Sequence, residues 1–161
     1  MSDNDIPPYA KRLRTAREQI GKSVEEMAAL VGLNVPSYYD LESYADEVLS
    51  SLSIREFARL CKLLKISPRD LFAEECQTEQ DGTVVNSLAA KIRSYMETQE
   101  ITLAEFEERV GWDVGAFLES PIEIVTDRYN LEALIDIGKE VRFNWVSALR
   151  GIISEFDKAD V

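Results

Sequence analysis

Residues 23–26 of this chain read Ser-Val-Glu-Glu, and residues 102–105 read Thr-Leu-Ala-Glu, 79 positions further on. Each stretch begins with a hydroxyl residue and carries Glu three positions later, which is the signature of a capping box at the start of a helix. In a capping box, the side-chain oxygen accepts a hydrogen bond from a backbone N–H that has no partner inside the helix. The sequence therefore predicts two helices that begin in the same way, one in each half of the chain.

The repeat extends well beyond the two capping boxes. Apolar, glycine and cap positions also match at the 79-residue offset, which becomes 77 from about residue 53 onward. Four predicted N-caps of the first half thereby fall on polar counterparts in the second: Ser23 on Thr102, Asn34 on Asp113, Ser53 on Asn130 and Ser67 on Asn144. A repeated helical unit indicates duplicated modules. We expect an all-α fold that consists of two tandem five-helix bundles.

The length of 161 residues suits two small modules. A polar stretch with a glycine, residues 76–84, predicts the linker between them. We place the first domain at residues 1–75 and the second at residues 85–161, where the last helix outlasts its counterpart. Modules of about 70 residues are only marginally stable alone, so we expect the two to dock.

The residue types exclude several kinds of chemistry. The chain has two cysteines and no histidine. Histidine-based catalysis is therefore impossible, and a transition-metal site would lack its commonest ligands. Because no nucleophile–base pair or phosphate-binding loop stands in the sequence, we expect no enzyme activity, no cofactor and no metal. Without a span of about 20 apolar residues or a signal peptide, we expect a soluble, cytoplasmic protein that does not contact membranes.

The net charge of −12 is shared unevenly between the halves. Residues 1–75 hold 10 Lys and Arg against 13 Asp and Glu, whereas residues 76–161 hold 8 against 17. A surface that lies on DNA must offset phosphate charge. The acidic second half is therefore not expected to lie on DNA.

The order of five short helices, with a glycine turn between the second and third, resembles the Xre/Cro-type (lambda-repressor-like) helix-turn-helix family. The resemblance is clear over residues 9–72, weaker over residues 88–149, and implies a DNA-binding transcriptional regulator. In that family an Arg at the end of helix 1 often pairs with a Glu at the end of helix 3. The matching residues here, Arg17 and Glu42, are expected to form a structural salt bridge. At the matching positions of the second copy stand Met96 and Pro121.

The resemblance also implies that the third helix of the first copy enters the major groove of double-stranded DNA. Base readout favours Arg, Lys, Asn and Gln, and the exposed positions of this helix carry none of them. Basic residues of helix 1 and of the turn after it could lie beside the phosphate backbone, or could simply form a solvated helix face. The candidate DNA-contacting residues are Lys11, Arg12, Arg14, Lys22, Ser23, Asn34, Val35, Pro36, Ser37, Tyr39 and Asp40.

The second copy is expected to serve structure or association, because its third helix has no basic residue. The last helix carries an apolar stripe that could bind a second copy of the chain or another protein. The candidate association surface is Trp145, Leu149, Ile152, Ile153 and Phe156. A second function stays open beside DNA binding. The chain could be a protein–protein interaction module of antitoxin, immunity or adaptor type that kept the fold and lost DNA binding.

Overall fold

The computed structural model describes residues 5–76 and 85–159, so the predicted linker lies outside the described residues apart from Cys76. Within these two ranges the regular elements are helices, and no strand is formed. The prediction of an all-α fold is confirmed. The helices are α1 (Pro8–Gln19), α2 (Val24–Val31), α3 (Val35–Leu41), α4 (Glu47–Ser50), α5 (Ile54–Leu64), α6 (Pro68–Leu71), a 3₁₀ helix (Ala73–Cys76), α7 (Val85–Gln99), α8 (Leu103–Val110), α9 (Gly115–Glu119), α10 (Ile122–Arg128), α11 (Leu131–Val141) and α12 (Trp145–Ala159).

Helices α2 and α8 have the same length and the same ends. Ser23 Oγ accepts from the N–H of Glu26 at 3.1 Å, and the Glu26 carboxylate accepts from the N–H of Ser23 at 2.8 Å. Thr102 and Glu105 make the same two hydrogen bonds, at 3.2 and 2.7 Å. Both helices span eight residues and end at a glycine with φ of 85° or 77°. Only glycine adopts that conformation without steric cost, so both turns depend on it.

Helices α5 and α11 match in the same way at the 77-residue offset. Each spans eleven residues and begins at a predicted N-cap, Ser53 or Asn130, whose side chain accepts a backbone N–H. Each also ends at a basic residue with positive φ, Lys65 at 55° and Arg142 at 67°. The side chains of Asn34, Ser67 and Asn144 likewise accept the N–H three residues on. Local cap chemistry therefore positions these helix starts in both halves.

The structure corrects the predicted elements at two places in the first half. The sequence suggests that α1 begins near Asp5, but the helix begins at Pro8, because a residue before proline is driven into extended backbone, as Pro7 is at ψ 152°. The segment at residues 43–52 is predicted to be a connector only, yet it contains α4. Within the described ranges, each half therefore has six α-helices rather than the five expected, since the second half runs from α7 to α12.

The predicted N-cap at Asp113 is also wrong. Val114, with helical backbone angles, precedes the first residue of α9, and the Asp113 carboxylate accepts the N–H of Gly115, two residues on rather than three. Its other oxygen lies 2.7 Å from Arg128 of α10. A competing ion pair therefore holds the side chain that would otherwise cap the helix.

The two halves dock through one continuous hydrophobic core. Buried residues of both halves belong to a single cluster, in which α4, α5 and α6 face α10, α11 and α12. At the seam, the rings of Phe72 and Trp145 meet edge to face with centroids 4.8 Å apart. The thiol of Cys61 lies in the same core, and burial raises its pKa to about 12. No helix of the described ranges is both long and apolar enough to cross a bilayer.

Candidate nucleic-acid interface

A buried ion pair fixes the position of α3. Arg17 donates two parallel hydrogen bonds to the Glu42 carboxylate, at 2.7 and 3.0 Å, and a third to the carbonyl of Lys22 at 2.9 Å. The Glu42 side chain is 3 % exposed. The hydrogen bond to Glu42 raises the pKa of Arg17, so the guanidinium stays charged. One guanidinium thereby joins the end of α1, the turn before α2 and the end of α3.

The face of α3 that packs inward is anchored by Tyr38 and Leu41, each 1 % exposed. Burial and the neighbouring Glu42 carboxylate raise the pKa of the Tyr38 phenol, so it stays neutral. On the outward face, Val35 is 41 % and Tyr39 is 53 % exposed. The N-terminal half of α3 is therefore open to a ligand.

The outward face of α3 offers few groups that read bases. Pro36 is exposed, whereas Ser37 and Asp40 are half-buried. The side-chain oxygen of Asn34 accepts the N–H of Ser37 at 2.8 Å, so it caps the helix instead of facing a base. What remains is apolar surface for a thymine methyl, one hydroxyl, and a carboxylate that could accept from cytosine.

Arg14 and Lys22 lie at the end of the bundle that Arg17 joins, and Lys11 lies one turn before Arg14 on α1. Lys11 is exposed, and no ion pair of its ammonium is found among the described residues. Arg14 donates to the carbonyl of Glu42 at 3.3 Å, which places it at the end of α3. Lys22 Nζ lies 3.5 Å from Glu26, in a surface pair that contributes little stability. These three, the basic flank, keep at least part of their charge for phosphate.

Arg12 does not lie with the basic flank. Its guanidinium donates to both carboxylate oxygens of Glu74 and to the carbonyl of Leu71 at 2.8 Å. The Arg12 hydrogen bonds lower the pKa of Glu74 to about 2. Neighbouring helical residues point about 100° apart, so Arg12 faces α6 while Lys11 faces solvent. Arg12 therefore stabilises the bundle, and sequence reasoning missed its partner because the two residues lie 62 positions apart along the chain.

The N-terminus of α2 is already occupied by carboxylates. The oxygen of Ser23 accepts from Glu26, and the N–H of Ser23 donates to the Glu26 carboxylate, which lowers the pKa of that group. The pKa of Glu25 is lowered as well, by a backbone hydrogen bond and by Ser23. Two negative charges at this helix end oppose a phosphate there. Contact with the DNA backbone is accordingly better placed on the basic flank.

The sequence of the first half agrees with this geometry. Residues 13–71 match the helix-turn-helix family model. The matched segment runs from α1 to the end of α6, and so contains the α2–α3 pair, the glycine turn and the Arg17–Glu42 ion pair. No curated protein and no solved structure matches the chain significantly.

The counterpart of α3 in the second half is covered, unlike α3 of the first half, which is called the helix-turn-helix unit here after its match over residues 13–71. Val114, at the position of Val35, is fully buried, and its N–H donates to Glu107 at 3.0 Å. The hydroxyl of Tyr129 donates to the carbonyl of Asp113 at 2.6 Å, and its ring stacks on Phe117 with centroids 3.9 Å apart. The end of α10 therefore lies over the start of α9.

Four large apolar side chains of the helix-turn-helix unit are exposed by 40–53 %: Leu30, Val35, Tyr39 and Tyr44, here called the exposed apolar group. They stand on α2, on α3 and directly after α3. Sequence reasoning singled out Val35 and Tyr39 but missed the other two. Leu30 could have been found, because it lies off the inward stripe that Met27 and Val31 form on α2.

The predicted association surface lies inside the chain. Leu149 and Ile152 are fully buried, while Trp145, Ile153 and Phe156 are half-buried. Trp145 contacts Phe72 of the helix-turn-helix unit, and the guanidinium of Arg55 lies over the Phe156 ring at 5.0 Å. Helix α12 packs on helices of both halves, so the stripe is directed partly at the first half of the same chain.

Proposed function

We propose that the chain is a DNA-binding transcriptional regulator of the Xre/Cro type that acts in the cytoplasm. The helix-turn-helix unit contacts double-stranded DNA, and the second half supports it. The observation that carries the proposal is the exposed N-terminal half of α3, held in place by the Arg17–Glu42 pair within the segment that matches the family. The covered counterpart of α3 in the second half agrees with a single DNA-contacting surface.

In this proposal α3 lies in the major groove. Val35 and Tyr39 contact thymine methyl groups, Ser37 bonds a base edge or a phosphate, and Asp40 accepts from a cytosine amino group. Lys11, Arg14 and Lys22 flank the backbone. Because so few side chains read bases, the DNA should be recognised largely through shape and through contacts to thymine.

The experiment is selection of duplexes from a random pool at low salt, followed by fluorescence anisotropy on the selected DNA. Three phosphate contacts predict that log K falls against log salt with a slope of about −2.7. Lys11→Glu combined with Lys22→Glu should abolish binding. The matched control, Lys62→Glu with Lys65→Glu, makes the same change of charge at the C-terminal end of α5 and should leave DNA binding intact. Equal losses of DNA affinity in both variants would contradict the assignment of the DNA-contacting surface to the basic flank.

A second function has its own support in the exposed apolar group. Large apolar side chains exposed on the packed pair α2 and α3 can bind another protein, and α3 has no Arg, Lys, Asn or Gln to read purines. A protein partner of this acidic chain would be basic. In that case the selection would return no DNA even at low salt. Tyr39→Ser would then abolish capture of a basic partner, whereas Lys11→Glu would not.

A further inference from the structure

The two halves contact each other at residues that occupy equivalent positions of the sequence repeat. Ser53 and Asn130, counterparts at the 77-residue offset, face each other in an isolated antiparallel bridge. Next to the bridge, the N–H of Ile54 donates to the carbonyl of Tyr129 at 2.8 Å, and the Asn130 amide donates to the carbonyl of Ser50 at 3.1 Å. Equivalent residues face each other in this way when a two-fold rotation relates the units that carry them.

The helix packing around the bridge is reciprocal. Helix α5 packs on α10, and α11, the counterpart of α5, packs on α4, the counterpart of α10. Helix α6 packs on α12, which begins at the equivalent position. In a two-fold dimer, when element i of one subunit contacts element j of the other, j also contacts i. These pairs at the seam follow that pattern, and the longer α12 also packs on α5.

We infer that residues 85–159 take the place of a second subunit, so that one chain forms a complete internal dimer and works as a monomer. The surface of α4, α5 and α6 that a two-fold partner would need is filled by the second half. Since α3 is open and its counterpart α9 is covered, and on the basis of the function proposed above, the DNA ligand is a single asymmetric half-site rather than an inverted repeat.

The charges at the seam favour pairing of a first half with a second half over pairing of two identical halves. Arg55 on α5 pairs with Asp127 on α10 at 2.9 Å. At the 77-residue offset the counterpart of Asp127 is Ser50, so two first halves in this arrangement would leave Arg55 without that carboxylate. The counterpart of Arg55 is Glu132, so two second halves would set Glu132 against Asp127. Like charges at an interface suppress the wrong pairing.

The first experiment measures the mass of the unaltered chain by analytical ultracentrifugation over a wide range of concentration. We expect 18.2 kDa throughout, the mass of one chain. A species of twice that mass at any concentration in this range would overturn the inference. This readout needs no DNA and no substitution that could impair folding.

The second experiment crosslinks the bridge. Residues opposite each other in a non-hydrogen-bonded antiparallel pair have Cα atoms about 4.5 Å apart, within the range of a disulfide. In a Cys76→Ser background, Ser53→Cys with Asn130→Cys should close within one chain on oxidation, seen as a linked peptide pair by mass spectrometry. Failure to link, in a variant whose circular dichroism matches the parent, would overturn the inference.

The matched control carries Ser53→Cys alone in the same background. Across a true two-fold axis between two chains, the thiols introduced at this position in each chain would meet and form a covalent dimer. In the internal dimer the facing residue is Asn130, so this variant should stay monomeric on oxidation. A covalent dimer of the single variant would overturn the inference, whereas intrachain closure confined to the double variant supports it.

The last experiment tests the shape of the DNA ligand. On selected duplexes, one chain should bind each site, and joining two sites as an inverted repeat should leave the affinity per chain unchanged. A gain in affinity per chain of tenfold or more on the inverted repeat would overturn the inference that the ligand is a single half-site. If no DNA binds at all, the proposed function fails, while the mass and the crosslinks still decide on the internal dimer.

Discussion

Helices α3 and α9 follow helices that match in length and caps, and yet they present opposite surfaces. Val35 on α3 is 41 % exposed, whereas Val114 at the same position before α9 is fully buried. The difference comes from the helix that follows. The four residues of α4 leave α3 open, whereas the seven residues of α10 bring Arg128 and Tyr129 over the start of α9. The helix that follows α3 or α9, rather than α3 or α9 itself, decides which half is open to a ligand.

The ion pair gives the sharpest test of this comparison, since the second half has Met96 and Pro121 where the first has Arg17 and Glu42. Arg17→Met alone should lower the free energy of unfolding by about 3–5 kcal/mol, because it removes both short hydrogen bonds to a buried carboxylate and leaves it, among the described residues, only the ion pair with Arg14, whose Nε lies 3.9 Å away. Adding Glu42→Leu should recover part of that loss. Urea unfolding of the single and double variants measures both. A double variant less stable than either single one would contradict the account.

Truncation at the seam tests whether the halves unfold as one unit. Leu149→Ala should lower the free energy of unfolding by about 2–4 kcal/mol, because it leaves a cavity in a core that both halves share. The transition should stay single when followed by tryptophan fluorescence and by circular dichroism. Two separate transitions would show that the halves are energetically independent. Glu108→Ala, on the exposed face of α8, is the control and should change stability by less than about 0.5 kcal/mol.

The two capping boxes should be equivalent in energy if the halves are built alike. Ser23→Ala and Thr102→Ala should each lower the free energy of unfolding by about 1 kcal/mol, because each leaves an N–H at a helix start without its acceptor. Thermal unfolding of the two variants under the same conditions gives the comparison. A loss confined to one of them would show that the other helix start is held by packing instead.

The smallest expected effect is a pH-dependent change in melting temperature, which tests whether Arg12 pairs with Glu74 instead of belonging to the basic flank. The pKa of Glu74 is lowered from 4.5 to about 2 by its hydrogen bonds with Arg12. A lowered pKa in the folded state gives stability that is complete above pH 4.5 and lost as the pH falls toward 2. The wild type should therefore melt higher than Glu74→Gln at about pH 6, and the gap should narrow by about pH 2.5. A gap independent of pH would contradict this coupling.

Local chemistry made much of the fold predictable, and contacts distant along the chain limited the rest. The caps at Ser23, Ser53 and Asn130 depend on the next three residues only, so these helix starts could be placed correctly from the sequence. The ion pair of Asp113 with Arg128 and the clamp of Arg12 on Glu74 join segments that only the folded chain brings together. For the same reason, no periodicity in the sequence could show that α10 covers α9, or that the stripe on α12 is directed partly at the first half.

The two cysteines differ in one practical respect. Burial raises the pKa of the Cys61 thiol to about 12, and the thiolate is the reactive form. We therefore expect buried Cys61 to resist maleimides, and half-exposed Cys76, at the last described position of the first half, to be labelled by a maleimide dye. The unaltered chain thus carries a single fluorophore attachment point beside the seam, with no engineering required.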